Sequence, residues 1–254
     1  MRAGLFPGAL WIRQGGTEVA LPTAEDGGMP GLMPSLDVLV ASCRRGGGAG
    51  AGVDLLVSDS IARNVMLPWQ EAPLTPVQEH AYAQACLERA GVDLAAGWTL
   101  HSGFRHYGQV GLAVAVPTAW LDDARGRFAA AGLRLRRVTP VTAAAYWATP
   151  GGIGRAPGLL LLAEPGRITA VQQQGGRFSG LDVEPAGADP ALALRRLLNR
   201  TRAAGLALAG LPVAETPVTV QLWQARPGLI DRALLARELP AARIRELAPG
   251  AWSK

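Results

Sequence analysis

The sequence predicts an α/β fold built from two similar halves, and three observations lead to this prediction. Of the 254 residues, 49% are hydrophobic and 18% are charged, so the chain can bury a substantial core. Short apolar runs with strand character alternate with capped helical segments along most of its length. A Pro- and Gly-rich stretch at 149–158 predicts a linker between a first domain, 1–148, and a second domain, 159–254.

The second half has the clearer pattern, and its strands and helices alternate with turn residues between them. In order, we predict strands at 159–163, 167–173 and 177–183, a helix from Asp189-Pro190 to about 204, a strand at 218–223, a helix at 228–239 and a strand at 242–247. Gly175-Gly176 is predicted to form the turn between the second and third strands. The order β-β-β-α-β-α-β is that of the ribonuclease-H-like fold.

The first half repeats this order loosely around an insertion. We predict strands at 9–13, 17–21, 53–57, 64–67, 98–103, 109–116 and 133–138, and helices at 35–44, 75–90, 117–131 and 139–147. Thr75-Pro76-Val77-Gln78 is a capping box with Pro in the first turn. With an inserted subdomain at about 75–116, two such halves predict an actin-like fold, which is a duplicated ribonuclease-H-like fold.

Two segments of the first half resemble a known family. VDLLVSDSIARNVMLPW (Val53–Trp69) and GQVGLAVAVPTAWLDDARGRFAAAGLRLRRVTPVTAAAYW (Gly108–Trp147) are similar to the actin-like cytoplasmic proteins of type IV pilus and type II secretion machines. These are the PilM-like proteins and the cytoplasmic part of GspL. The resemblance covers 34–147 and depends on the order of elements, such as the strand that ends in Leu67-Pro68.

The resemblance implies a scaffold at the inner membrane, which we predict to be non-catalytic because of the departures described below. PilM-like proteins hold a short cytoplasmic tail of a membrane partner and contact the assembly ATPase. For this chain it therefore implies a PilN-like or GspM-like partner, contact with an assembly ATPase, and a cytoplasmic location that is peripheral to the membrane through partners. The residues that would contact such a partner are not identified by the resemblance.

The turns that would hold a nucleotide depart from the pattern of actin-like ATP binders. Such proteins place an Asp-x-Gly turn after the first strand of each half, where backbone N–H groups cradle phosphate and the Asp holds Mg²⁺. In the second half, the Asp position falls at Ala163 or Glu164, before Pro165-Gly166, and Pro165 has no N–H to donate. In the first half, the sequence predicts the turn at 14–16 (Gln-Gly-Gly), which contains no acid.

A third nucleotide element is also degenerate, because 224–228 (Gln-Ala-Arg-Pro-Gly) lacks the Gly-Gly that would pack against adenosine. Glu164 and Gly166 are therefore degenerate phosphate-turn positions, and we predict a pseudo-ATPase without a cofactor. An ATP-binding protein of the same machinery is the alternative. Enzymes that depend on an internal Lys are excluded, since the one Lys is Lys254.

A second alternative, a basic ribonuclease-H-like nucleic-acid-binding protein, follows from the net charge of +5 and the pI of about 10. The densest basic clusters are Arg134, Arg136, Arg137 and Arg195, Arg196, Arg200, Arg202. Candidate nuclease ligands would be Glu164, Asp182 and Glu184, which we interpret instead as solvated acids at strand ends. The charge is diffuse, so we expect no nucleic-acid partner and no metal site.

Other side chains indicate no chemistry of their own. His80, His101 and His106 lack metal-ligand spacing, and Asp122-Asp123 fit the first turn of a helix. Cys43 and Cys86 are predicted to be free thiols, and no run of 18 apolar residues could span a membrane. Five tryptophans lie at element edges, where one or two exposed rings could anchor a protein partner: Trp69, Trp98, Trp120, Trp147 and Trp223.

Overall fold

The structure is a computed structural model, and it describes residues 1–21, 32–72, 74–148, 158–174, 177–187, 189–203, 218–248 and 251. The chain forms two compact units, which divide between Trp147 and Ala148. Most of the linker predicted at 149–158 and the turn predicted at Gly175-Gly176 lie outside the described residues. Gly158 does not belong to a linker, because it is the first residue of a strand.

The first unit contains eight strands and four α-helices in the described residues. They are β1 (Arg2–Phe6), β2 (Ala9–Gln14), β3 (Thr17–Leu21), α1 (Leu32–Gly47), β4 (Gly52–Val57), β5 (Arg63–Leu67), α2 (Pro76–Arg89), β6 (Trp98–Gly103), β7 (Gly111–Pro117), α3 (Thr118–Ala130), β8 (Arg134–Pro140) and α4 (Val141–Ala148). A short 3₁₀ helix, Leu94–Ala96, precedes β6.

The main sheet of the first unit has the order β3-β2-β1-β4-β8, with antiparallel pairing from β3 to β1 and parallel pairing from β1 to β8. Its central strand, β1, was missed by the sequence analysis, because Gly4 interrupts the short apolar run. The structure explains this glycine. A Cβ on Gly4 would lie 2.2 Å from the ring of Trp11, so the indole can lie flat on β1 only when no side chain is there.

The inserted subdomain is a three-stranded antiparallel sheet, β5-β7-β6, packed on α2. Its small core includes Leu67, Leu87 and Ala113. Because β5 pairs with β7, the subdomain begins at Arg63 and not near 75, the position that the sequence predicted. The predicted capping box is present, since the Thr75 side chain accepts from the Gln78 N–H and the Gln78 side chain accepts from the Thr75 N–H.

The second unit contains five strands and two helices in the described residues. They are β9 (Gly158–Glu164), β10 (Arg167–Gln174), β11 (Arg177–Pro185), α5 (Pro190–Thr201), β12 (Thr219–Gln224), α6 (Arg232–Glu238) and β13 (Arg243–Leu247). Their order along the chain is the predicted one. The two helices are capped by Asp189 and Asp231, each of which accepts a hydrogen bond from a backbone N–H in the first turn.

The sheet of the second unit has the order β11-β10-β9-β12-β13. Numbered within each unit, the two main sheets share the order 3-2-1-4-5, with the fifth strand of the first unit reached only after the inserted subdomain. Apolar residues of β9, β10 and β12 form a core with α5 and α6. The described residues contain no helix whose length and apolar character would suit a membrane span.

Candidate functional site

The two units have equivalent turns after their first strands. Phe6 pairs with Ala9 and Glu164 pairs with Arg167, so each pair of strands is joined by a two-residue Pro-Gly turn. Gly8 and Gly166 have φ values of 62° and 80°, which a residue without a Cβ adopts readily. The first-half phosphate turn therefore lies at 6–8 (Phe-Pro-Gly). The prediction that this turn lies at 14–16 was wrong. Because β1 was missed, the hairpin between β2 and β3 was interpreted as the hairpin between the first two strands.

This equivalence identifies the residue at the Asp position of each turn. The position is occupied by Glu164, not Ala163, in the second unit and by Phe6 in the first unit. Both side chains are buried, with Glu164 2% exposed and Phe6 0% exposed. A proline follows in both turns, so each turn has lost one N–H donor. The first turn consequently offers no carboxylate, and the second offers one that is largely withdrawn from solvent.

The stretch at 224–228, where an actin-like nucleotide binder would pack adenosine, is held by a hydrogen bond to the side chain of its first residue, Gln224. Oε1 of Gln224 accepts a hydrogen bond from the Ile230 N–H at 2.9 Å. Gly228, with φ of 86°, provides the left-handed residue in the same loop. These two features organise the loop before α6.

The register of the second sheet separates the acids considered as nuclease ligands. Glu184 and Ala163 both pair with Ile168, a residue of the core beneath α5. Asp182 lies two residues before Glu184 and shares its face. Glu164 follows Ala163 directly, so its side chain points to the opposite face. The three carboxylates are therefore not brought together.

Asp182 and Glu184 have structural partners instead. Asp182 accepts from the Gln172 amide at 2.9 Å. Glu184 lies 2.6 Å from the guanidinium of Arg200 and 3.9 Å from that of Arg196, both on α5. These contacts attach α5 to the edge strand β11. Glu184 is 8% exposed and Glu164 is 2% exposed, so our interpretation of these two residues as solvated acids was wrong.

Asp59 is a buried polar residue whose role the sequence did not indicate. It follows β4 and is 0% exposed. Its carboxylate accepts hydrogen bonds from the backbone N–H of Thr142, at 3.2 and 3.3 Å, and from the Thr142 hydroxyl. Thr142 lies in the first turn of α4, so Asp59 caps this helix from a distant part of the chain.

The opposite end of α4 is attached to the inserted subdomain. The Tyr146 hydroxyl accepts from the Arg105 N–H at 3.1 Å and donates to the Val110 carbonyl at 2.9 Å. The Arg105 guanidinium donates to the Tyr146 carbonyl at 3.0 Å. Burial raises the pKa of Tyr146, so its hydroxyl remains a donor beyond the pH at which an exposed tyrosine ionises. The loop between β6 and β7 is thereby held against α4.

Four aromatic side chains lie on or near this loop, and we call them the aromatic patch: Trp69 after β5, Phe104 and Tyr107 in the loop, and Trp147 on α4. The Trp69 ring lies 5.4 Å from the Phe104 ring and 4.8 Å from the Tyr107 ring. Tyr107 is 86% exposed and Trp147 is 38% exposed. Trp147 lies against β6, where a Cβ on Gly103 would lie 2.8 Å from its ring.

The patch identifies which tryptophans are accessible. Trp223 is fully buried, and Trp98 donates its indole N–H to the Asp93 carbonyl at 2.8 Å. Trp147 is 38% exposed, and Trp69 is half-buried and contacts the Tyr107 ring. Tyr107 was missed because a single Tyr in a polar turn has no distinguishing sequence signal.

The remaining sequence candidates lie apart from one another in the first unit, and most are on its surface. Asp122 and Asp123 form ion pairs with Arg125 and Arg127 within α3, at 3.0 and 3.2 Å. His80, His101 and His106 are exposed, and His101 lies beside Trp147 with ring centroids 6.2 Å apart. Cys43 is buried and Cys86 is half-buried, and both are free thiols, as predicted.

Comparisons with known proteins find similar solved structures, while no protein-family model and no curated protein sequence matches the chain. A chain of the PilM-PilN type IV pilus biogenesis complex is 14% identical with a TM-score of 0.63, over 98% of this chain and 88% of that chain. A Bacteroides thetaiotaomicron protein of actin-like ATPase fold is 9% identical with a TM-score of 0.58, over 96% and 89% of the two chains.

A third similar structure is the cytoplasmic domain of EpsL, an inner-membrane component of the type II secretion system of Vibrio cholerae. It is 13% identical with a TM-score of 0.50, over 95% of this chain and 94% of that domain. At such identities the similarity establishes the fold. The chain therefore has the actin-like fold, as the sequence predicted, and among the solved structures it resembles are a PilM-PilN complex and the cytoplasmic domain of EpsL.

Proposed function

We propose that this protein is a non-catalytic scaffold of a type IV pilus or type II secretion assembly platform, which binds the cytoplasmic tail of a PilN-type membrane partner. The observation that carries the proposal is the similarity to a PilM-PilN complex over 98% of this chain. The similarity to the EpsL cytoplasmic domain over 95% of the chain supports the same kind of machine. The protein would reside at the inner membrane through this partner and also contact an assembly ATPase.

The aromatic patch is the surface we assign to the tail. Protein interfaces concentrate their binding energy in a few aromatic and arginine side chains. Tyr107 and Trp147 are exposed, yet the hydrogen bonds between Arg105 and Tyr146 fix the loop that carries Tyr107. A pre-organised surface binds a flexible tail at a lower entropic cost than a mobile one.

The scaffold role is supported by the two phosphate turns. Phe6 occupies the Asp position of the first turn, and the proline that follows each Asp position removes an N–H donor. Of the two carboxylates that hold Mg²⁺ in an actin-like nucleotide site, one is therefore missing from this protein. The alternative, an ATP-binding member of the same fold, is favoured by one observation, which is that Glu164 retains an acid in the second turn.

Calorimetry with a synthetic peptide that spans the cytoplasmic tail of the PilN-type protein of the same genome tests the proposal. Tyr107→Ala and Trp147→Ala should each weaken peptide binding by about tenfold, the effect of losing an interface anchor. Val77→Ser is the matched control, since Val77 is 79% exposed on α2 and outside the patch. Failure of the wild-type protein to bind the peptide, or equal weakening by Val77→Ser, would contradict the assignment.

A further inference from the structure

The main sheet of the first unit carries five arginines at the end where β1, β4 and β8 begin. We call this set the arginine face, and its members are Arg2, Arg13, Arg134, Arg136 and Arg137. Arg13 pairs with Arg2, Arg2 pairs with Asp54, and Asp54 pairs with Arg137. Residues paired across neighbouring strands share a face, and strands are spaced by about 4.8 Å. These four residues therefore form a row of about 14 Å across four strands.

A β-bulge adds the other two arginines to the same face. Gly52 pairs with Arg134 and Asp54 pairs with Arg137, which leaves Arg136 as the extra residue of β8. The Arg136 guanidinium lies 2.6 Å from Asp54. Its side chain crosses Gly52, where a Cβ would lie 2.6 Å from Cδ of Arg136. As a result Arg134, Arg136 and Arg137 are all exposed, which strict alternation along a strand would prevent.

Acidic residues do not neutralise this face. On the same strands the acids are Asp54 and Glu18, and Glu18 pairs with Arg13. Within the described ranges, Arg2, Arg134 and Arg137 form no ion pair. The face thus keeps an excess of positive charge.

The end of α1 extends the basic surface. Its last turn carries Arg44 and Arg45, and a Cβ on Gly132 would lie 3.7 Å from the Arg44 guanidinium. With these two, the described residues at this end of the sheet include seven arginines and two acids, which is a local excess of five positive charges.

The second basic cluster of the sequence, on and just after α5, differs from the arginine face because most of its arginines form ion pairs. Arg195 forms an ion pair with Glu238 at 2.9 Å, and Arg200 forms one with Glu184 at 2.6 Å. These arginines of α5 hold secondary structure together. Charged side chains also protect edge strands from pairing with other chains, which would explain Arg134 and Arg137 on β8. Protection of an edge does not explain Arg2, because β1 is the central strand of its sheet.

We propose that the arginine face binds the phosphate headgroups of anionic lipids at the membrane surface. The inference takes the membrane location from the proposed function and adds a direct contact with lipid. Guanidinium groups bind phosphate through two parallel hydrogen bonds and are readily desolvated. Single-stranded nucleic acid, by contrast, is usually held by aromatic stacking beside basic groups. Trp11, in the next row of this face, is buried.

Sedimentation of the full chain with sonicated vesicles tests the inference. We expect binding to vesicles with one third phosphatidylglycerol, no binding to pure phosphatidylcholine, and loss of binding at 0.5 M NaCl through screening. Arg134→Gln with Arg137→Gln should lower the partition coefficient by roughly fivefold for each arginine. Replacement of both by Lys should retain most of the binding, and Arg226→Gln with Arg232→Gln, at exposed sites in the second unit, should change it less than twofold.

Several results would overturn the inference. They are the absence of binding to anionic vesicles at 50 mM NaCl, an equal loss in the two Gln double variants, competition by inorganic phosphate at millimolar concentration, and tighter binding to duplex DNA than to vesicles. Circular dichroism establishes that each variant is folded. Tail-peptide binding, measured in solution without lipid, should be unchanged by Arg134→Gln with Arg137→Gln, so failure of this inference is distinguishable from failure of the proposed function.

Discussion

The Asp59 carboxylate and the first turn of α4 are joined through Thr142, although 83 residues separate the two positions in the sequence. Both the backbone N–H and the hydroxyl of Thr142 donate to this one carboxylate. Asp59 lies two residues after the end of β4, so the contact fixes the start of α4 near the end of an interior strand of the main sheet. The far end of the same helix holds the loop of the aromatic patch through Tyr146.

Replacing Asp59 by Ala should therefore destabilise the first unit. The change leaves the buried Thr142 donors without their acceptor, and losing a buried charged hydrogen-bond partner costs about 3 kcal/mol. Thermal unfolding followed by circular dichroism should show the melting temperature lowered by about 10 °C. Asp122→Ala is the control, because Asp122 forms an exposed ion pair that should contribute less than about 1 kcal/mol. Equal melting temperatures for wild type and Asp59→Ala would refute the capping role.

Tyr146→Phe should loosen the loop between β6 and β7 without unfolding the protein. The variant loses the hydroxyl that accepts from Arg105 and donates to Val110, each contact contributing about 1 kcal/mol. Hydrogen exchange of the amides at 105–110 should accelerate by about tenfold. Tyr82→Phe removes a hydroxyl that donates to the Pro68 carbonyl elsewhere in the subdomain, so it should leave those amides unchanged. Unchanged exchange in Tyr146→Phe would show that the loop is held by packing alone.

The sequence predicted the fold better than it predicted the surface, for physical reasons. Periodicity and capping residues such as Thr75 and Asp189 act locally, and they placed most elements within a few residues. Strand β1 was missed because glycine is unfavourable in strands, although the indole of Trp11 requires a glycine at position 4. The first phosphate turn was misplaced as a direct consequence. The roles of Asp59 and Tyr107 depend on contacts between segments far apart in sequence, which no local pattern reports.

Stability should fall as the pH rises from about 9 to 11, in part because of Cys43. Burial raises the pKa of this thiol from 9.0 to about 11. The unfolded chain ionises its thiol at the lower pH, so the unfolded state is favoured progressively across this interval. The full effect is on the order of 2 kcal/mol. Urea unfolding at pH 8, 9 and 10 should give a shallower decline for Cys43→Ala than for wild type. Identical slopes would exclude the contribution of Cys43.

Mg²⁺-ATP at 5 mM should raise the melting temperature by less than about 1 °C, because Phe6, Pro7 and Pro165 remove the acid and two N–H donors that an actin-like phosphate site uses. A ligand present at 100 times its Kd would stabilise the native state by about 2.7 kcal/mol, which is readily detected. The tail peptide, in the same scan, is the positive control.

A shift of several degrees with Mg²⁺-ATP would favour the ATP-binding alternative, and Glu164→Gln would then decide the matter. Glu164 occupies the Asp position of the second turn, so a nucleotide held there through Mg²⁺ should lose its effect when the carboxylate becomes an amide. If the shift survives in Glu164→Gln, the nucleotide binds away from the phosphate turns. In that case the likeness to actin-like ATP binders would extend to the fold and not to the site.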